Sequence, residues 1–348
     1  MHLHHPVNLH HHYEPGDGYE AIIHRDEGPM RFLNFGVLRL RVGDTYDGDS
    51  IHTEIALVVL SGRCRLQIGE NLTAELGERE HVFAGCASAA YVPRNTDFGI
   101  AALTDVEVAF CEALCNEDHP AAVVRPEGVR VRQVGKDNWA RTVTDIIGEN
   151  VPAQRLIVGE TFNPPGNWSS APPHRHDNDN PPIESDMEEV YFYRLRPEQG
   201  FGLQRVYEPH RHLDEVYTVR QNDVVCIPYG YHPVVAAPGY QLYYLWMLAG
   251  ERRLLIPYDD PEHAWVKRSC MRCVDAEPRL RADRPQPSRR SVRGPGRGER
   301  LARGTRAGAT RPRPRDDGMG RKRLRPRRRL CRPPQRDPSE LARDRTRV

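Results

Sequence analysis

In APPHRHDNDNPPIESDMEEVYFY (residues 171–193), two histidines stand two positions apart, upstream of an acidic doublet that opens an aromatic run. Residues two apart on an extended strand project to the same face, so His174 and His176 present their imidazoles together. Glu189 begins a segment with strand character, and IPYGYHP (227–233) places His232 behind a Pro-x-Gly turn. Three imidazoles and a carboxylate suit a borderline divalent ion such as zinc, manganese, iron, cobalt or nickel. The set predicts a metal held by His174, His176, Glu189 and His232 inside a small β-barrel. Any one of these histidines alone reads more simply as an ordinary surface or core residue. The weight lies in four donors in this order, flanked by strands.

Strand signals continue outward from this stretch. Leu38, Leu40 and Val42 alternate with arginines, and Cys64, Leu66 and Ile68 alternate with polar residues. IALVVLSG (55–62) reads as a buried strand ending in a turn. LIVGETF (156–162), EVYFYRL (189–195), LQRVY (203–207), EVYTV (215–219), DVVCIP (223–228) and QLYYLWML (241–248) follow, separated by turn residues. Short strands with little helix argue for an all-β barrel or sandwich.

A weak internal repeat doubles the pattern. Glu54-Ile55-Ala56-Leu57-Val58 resembles the five residues from Glu189, and Val92-Pro93 through Asp97 resembles Ile227-Pro228 through His232. The expected organisation is an N-terminal segment (1–27), a first barrel (28–120), a linker (121–150), a second barrel (151–267) and a tail (268–348). In the first copy Asp97 replaces His232 and His52 is a lone imidazole, so its metal site is degenerate. Glu54 is then a polar strand residue, open to pairing with an arginine.

Charge divides the chain. Residues 268–348 carry 27 Lys and Arg against 9 Asp and Glu, which leaves 23 against 39 for residues 1–267. The tail is Arg, Pro, Gly and Ala without apolar periodicity, and it cannot bury enough surface to offset its ordering entropy, so disorder is expected. No aromatic residue interleaves its arginines for base stacking, which argues against a nucleic-acid partner. A shifted GC-rich reading frame yields such a monotone mix, and a non-native extension is the favoured reading. Eight scattered cysteines exclude a disulfide scaffold. No apolar run opens the chain and none is long enough to span a bilayer, so a cytoplasmic protein without membrane association is expected. The histidines at 2, 4, 5, 10, 11 and 12 precede every expected element, so no scaffold is expected to fix them.

The stretch from GNWSS (166–170) through PPHRHD, QGFGLQRVY (199–207) and PYGYHPV (228–234) resembles the 5-deoxy-glucuronate isomerases of myo-inositol catabolism. These are bicupins akin to the 4-deoxy-5-hexosulose-uronate ketol-isomerases of pectin breakdown. The likeness extends more faintly over 1–267. It implies two cupin-type barrels, one divalent metal (zinc or manganese foremost) on the same four residues, and a small deoxy-uronate sugar as substrate. It also implies conversion of 5-deoxy-D-glucuronate to 2-deoxy-5-keto-D-gluconate and is compatible with a homo-oligomer. Ile183, Asp186, Val190 and Trp246 depart from the usual pattern, and none is a proposed ligand. The competing expectations are the pectin-pathway isomerase, a cupin dioxygenase, and a non-enzymatic sugar-binding cupin.

Aldose–ketose exchange needs a polarised carbonyl and a general acid–base near neutrality. If Glu189 faces the barrel interior, so do Tyr191 and Tyr193, while Glu188 faces away. That parity favours Glu184, on the preceding loop, or Tyr191 as proton carrier, with Tyr193 against the substrate. The sugar's carboxylate calls for an arginine fork, and Arg205 and Arg141 are the expected residues.

Overall fold

Every residue of Thr53–Ser61 (TEIALVVLS) except the last is buried, because both faces of this strand are covered. Ile55, Leu57 and Val59 point into one apolar core, with Leu66, Phe98 and Phe110. Ala56, Val58 and Leu60 point the other way, into a larger core shared with the second half of the chain. A strand at the centre of stacked sheets needs no polar face, hence the unbroken apolar run.

The computed structural model describes residues 8–268. His2, His4 and His5, the Cys270/Cys273 pair and the arginine-rich stretch from 269 onward, expected to lack order, lie outside the described residues. Two cupin barrels make up the fold. The first pairs a six-stranded sheet with a four-stranded one, and the second pairs a seven-stranded sheet with a four-stranded one. The two larger sheets pack against each other, with Phe35 of the first 5.2 Å from Phe192 of the second between ring centres. Among the described residues no helix is long and apolar enough to cross a membrane.

Two segments read as connectors are built into the barrels. Within 121–150, Ala122–Val124 closes the edge of the first barrel's larger sheet, while Arg130–Val134 and Arg141–Ile147 belong to the second barrel. Arg130–Val134 is the outermost strand of its sheet and largely exposed, so it carries arginines where an inner strand would carry apolar residues. At the other end, His10–His12 pairs antiparallel with Asp223–Ile227. His10, His11 and His12 therefore do sit on a scaffold, contrary to expectation, and His12 Nδ1 lies 2.6 Å from the buried Asp223 carboxylate.

Strand register corrects the internal repeat by one residue. In the second barrel Glu188 faces Ala249 and Glu189 faces Ile227. In the first, Glu54 faces Ala113 and Ile55 faces Val92. Glu54 thus corresponds to Glu188, and the counterpart of Glu189 is Ile55. The doublet Glu188-Glu189 made either alignment legible in sequence, and a slip of one residue exchanges the two faces of a strand.

The corrected pair forms two reciprocal clasps. Glu188 accepts the backbone N–H groups of Arg31, Phe32 and Leu33 at 2.7–2.8 Å. Glu54 accepts those of Gln154, Arg155 and Leu156 at 2.6–2.8 Å, and the Tyr91 hydroxyl at 2.7 Å. Each barrel's carboxylate therefore satisfies three donors from the segment entering the other barrel. Among the described residues no arginine forms an ion pair with Glu54, a pairing the sequence leaves open. A third buried tie joins Arg79 of the first barrel to Glu160 of the second at 2.6 Å.

Candidate metal centre

His174 lies on a two-residue strand, His174–Arg175, held against Tyr258–Asp259. Arg175 projects away from the histidines into an acidic nest, 2.6 Å from Glu208 and 3.3 Å from Glu184. That anchor fixes the strand whose opposite face carries His174 and His176. Glu189 stands in a central strand of the seven-stranded sheet, between Ile227 and Leu248. His232 follows Gly230, whose φ of +95° only glycine adopts readily and whose added Cβ would meet Tyr207 O at 2.9 Å.

These elements bring the donors together. One ring nitrogen from each of His174, His176 and His232 lies within 4.8 Å of the others. The Glu189 carboxylate lies 3.3 Å from Nε2 of both His176 and His232. His176 Nδ1 donates to Met187 O at 2.7 Å and His232 Nδ1 to Gly230 O at 2.9 Å. A carbonyl only accepts, so both rings carry their proton on Nδ1 and turn the Nε2 lone pair inward. His232 is fully buried, and its Nε2 has no hydrogen-bond partner. An orphaned buried imidazole nitrogen facing two more imidazoles and a carboxylate fits a divalent cation.

For His174 and His232 electrostatics point the same way. Burial, then the neighbouring imidazoles, pull His174 well below its ordinary value. Burial likewise brings His232 down to about 4. Burial opposes charge on His176 too, but the Glu189 carboxylate and the Met187 carbonyl outweigh it and the net shift is upward. Neutral imidazoles are the form that ligates a metal.

His174, His176 and Glu189 open on a cavity of about 180 Å³ that is also lined by Arg141, Thr161, Ser170, Tyr191, Tyr244 and Trp246. Arg141 is the informative member. Burial lowers its pKa, its one hydrogen bond goes to the Trp139 carbonyl at 3.1 Å, and its Nε has no partner. Among the described residues no carboxylate pairs with it. Tyr191 Oη is 3.2 Å from Ser170 Oγ, and Tyr244 donates to Ser169 Oγ at 2.8 Å. Burial pushes the Tyr191 phenol well above its ordinary value.

Of the residues expected at the site, the structure brings His174, His176, Glu189, His232, Tyr191 and Arg141 together. Three lie elsewhere. Glu184 does not line the cavity; it accepts from Asp177 N at 3.0 Å and from the Asn178 amide, and faces Arg175. Arg205 is on the outer face, paired in a fork with Asp214 at 2.6 and 2.8 Å, while Gln204 takes the buried side. Tyr193 faces the barrel interior as parity requires, but it is fully buried, hydrogen-bonds to Gln204 and stands outside the cavity lining. Tyr244 and Trp246 were legible but unread: the parity that turns Tyr191 inward turns alternate residues of QLYYLWML inward as well.

A family model described as the KduI/IolB family matches residues 10–266. The chain is 41% identical over 239 residues to a 5-deoxy-glucuronate isomerase of Geobacillus thermodenitrificans, covering 68% of this chain and 87% of the relative. An IolB-like protein from Salmonella typhimurium superposes with a TM-score of 0.72 at 33% identity, covering 75% of this chain and 99% of that one. The oxalate decarboxylase of Lactobacillus farciminis shares the fold alone, with a TM-score of 0.53 at 11% identity over 77% of this chain and 92% of that one. The metal-type donor set in one barrel, the doubled fold and these matches agree: the chain belongs to the KduI/IolB family.

Proposed function

We propose that this protein is a metal-dependent aldose–ketose isomerase that converts 5-deoxy-D-glucuronate to 2-deoxy-5-keto-D-gluconate. One hydrogen moves from C2 to C1 of the aldehyde and one from O2 to O1. The carbon numbering of the product then starts from the carboxylate, so the new ketone is its C5. The observation that carries this reading is one small cavity lined by His174, His176 and Glu189 of the four-donor cluster and by Arg141, a half-buried arginine for which the described residues offer no acidic partner. A sugar with a carbonyl at one end and a carboxylate at the other matches both.

His174, His176, Glu189 and His232 would hold a divalent ion, zinc or manganese foremost. Bound there, such an ion supplies Lewis-acid polarisation of the carbonyl and stabilises negative charge on the adjoining oxygens. Arg141 binds and orients the substrate carboxylate, an interaction strengthened by its own burial. The Tyr191 phenol keeps its proton at neutral pH and holds it at Oη, against Ser170, where it can be donated to a developing oxyanion. Glu184 acts at a distance, by fixing Arg175 and with it the strand that presents His174 and His176.

The test is conversion of 5-deoxy-D-glucuronate by full-length protein reconstituted with Zn²⁺ or Mn²⁺, with His174→Ala as control. Turnover by the wild type and its loss in the variant are expected. Equal inactivity of both on every uronate tried would end this reading.

A further inference from the structure

Beside the phenols and hydroxyls of the cavity, Arg141 also has an apolar flank. Val134 pairs with it directly across the adjoining strand. Val143 follows two residues along the same strand, on the same face, and both valines line the cavity. The charged side chain nearest Val143 in register is already engaged. Arg132, opposite it, binds Asp145 through two nitrogens at 2.9 and 2.7 Å. Thr161, on its other side, shares the cavity lining with Tyr244. A carboxylate gripped by Arg141 takes up that guanidinium and brings its own α-carbon against valine methyl groups, where Arg132 is already held by Asp145.

We infer that Val143 and Val134 make this site selective for sugar acids that lack a hydroxyl on the carbon next to the carboxylate. This deepens, and rests on, the isomerase reading with Arg141 as carboxylate anchor. In 5-deoxy-glucuronate that carbon is C5, a methylene. D-glucuronate carries a hydroxyl there, which would be stripped of water and left unpaired on the valines. An apolar wall rejects an added hydroxyl by about a hundredfold at most, so the expected preference is about ten- to a hundredfold.

The experiment compares the two acids on full-length, Mn²⁺-loaded protein, by kcat/KM and by calorimetric Kd. Wild type should favour the deoxy acid by at least about tenfold in both measures. Val143→Thr has the same shape and adds one hydroxyl, and it should cut that ratio at least about fivefold, chiefly by improving the hydroxylated acid. Val134→Thr, at a less buried position, repeats the test should the first variant fold poorly. A wild-type ratio near one, or threonine variants that keep the wild-type ratio, overturns the inference. Turnover of neither acid counts against the isomerase reading, and the Kd ratio still decides the role of the valines.

Discussion

Where the second barrel carries Glu189 beside Ile227, the first carries Ile55 beside Val92. The interiors diverge accordingly. Ile55, Leu57, Leu66, Phe98 and Phe110 fill the first, whereas imidazoles, phenols and a carboxylate surround an open space in the second. Asp97, read as the counterpart of His232, lies at the surface, and its neighbour Phe98 turns into the core. What both barrels keep is the carboxylate one residue earlier, Glu54 or Glu188, that holds the partner barrel's entering chain. The duplicated scaffold has retained its mutual attachment and specialised one interior, which shows that attachment and chemistry are borne by opposite faces of the same strand.

Removing a donor from the second interior should have the largest effect. His232→Ala or Glu189→Gln should lower kcat/KM by about a thousandfold or more, as expected for the loss of several kcal/mol of charge stabilisation. Metal content by mass spectrometry should fall below one per chain. The matched change Ile55→Val in the first interior should cost about 0.5–1.5 kcal/mol of stability and leave metal content intact. Metal loss in the Ile55 variant would break the division of labour between the barrels.

The clasps come next. Glu54→Ala and Glu188→Ala each leave two buried backbone donors and one partly buried one without an acceptor, at about 1–3 kcal/mol per buried group. Each variant should lose at least about 2 kcal/mol in urea unfolding, and the two losses should agree within about 1 kcal/mol if the clasps are equivalent. A mild Glu54 effect beside a severe Glu188 effect would refute the corrected register.

Two arginines sharpen the contrast between inside and outside. Arg141→Ala should raise KM about ten- to a hundredfold, in line with a charged hydrogen bond worth about 1.5–3 kcal/mol, with metal content unchanged. Arg205→Ala, which removes an exposed pair with Asp214, should change KM by less than about twofold. Equal effects in steady-state kinetics would mean that burial does not distinguish them.

The sequence made the strands and the ligand set legible because each rests on period-two spacing that survives without tertiary knowledge. EVYFYRL and QLYYLWML are strands, and His174 and His176 share a face. It misled where a choice depended on which of two surfaces a strand turns to a partner. Arg205 and Gln204 are one step apart, and only the packed sheet shows that the barrel interior takes Gln204. Glu188 and Glu189 pose the same ambiguity, and the wrong choice shifted the repeat by one. Short edge strands such as Arg130–Val134 and His10–His12 escaped notice because their polar residues resemble loops, and their pairing partners lie far along the chain.

Those edge strands carry the smallest of the expected effects. Ala122–Val124 closes the first barrel's sheet with apolar side chains, and His10–His12 closes the second's with imidazoles at the Asp223 carboxylate, His10 at 3.0 Å and His12 at 2.6 Å. Burial opposes the charge on Asp223, but the adjacent His10 imidazole and hydrogen bonds from His12 and the Arg220 N–H outweigh it, and its pKa falls below the ordinary 3.8. A carboxyl depressed in the folded state stabilises the fold fully above its unfolded pKa, and that contribution fades as pH drops through the folded value. The stability gap between wild type and Asp223→Asn should therefore be about 1 kcal/mol near neutrality, a typical single hydrogen-bond contribution. It should shrink below pH 3.8, whereas Val123→Ala in the first barrel's edge strand should cost the same at both extremes. Urea unfolding at pH 7 and pH 3 checks this, and a gap for Asp223→Asn that persists at the lower pH would show that the second barrel's edge, like the first's, is held by packing rather than by charge.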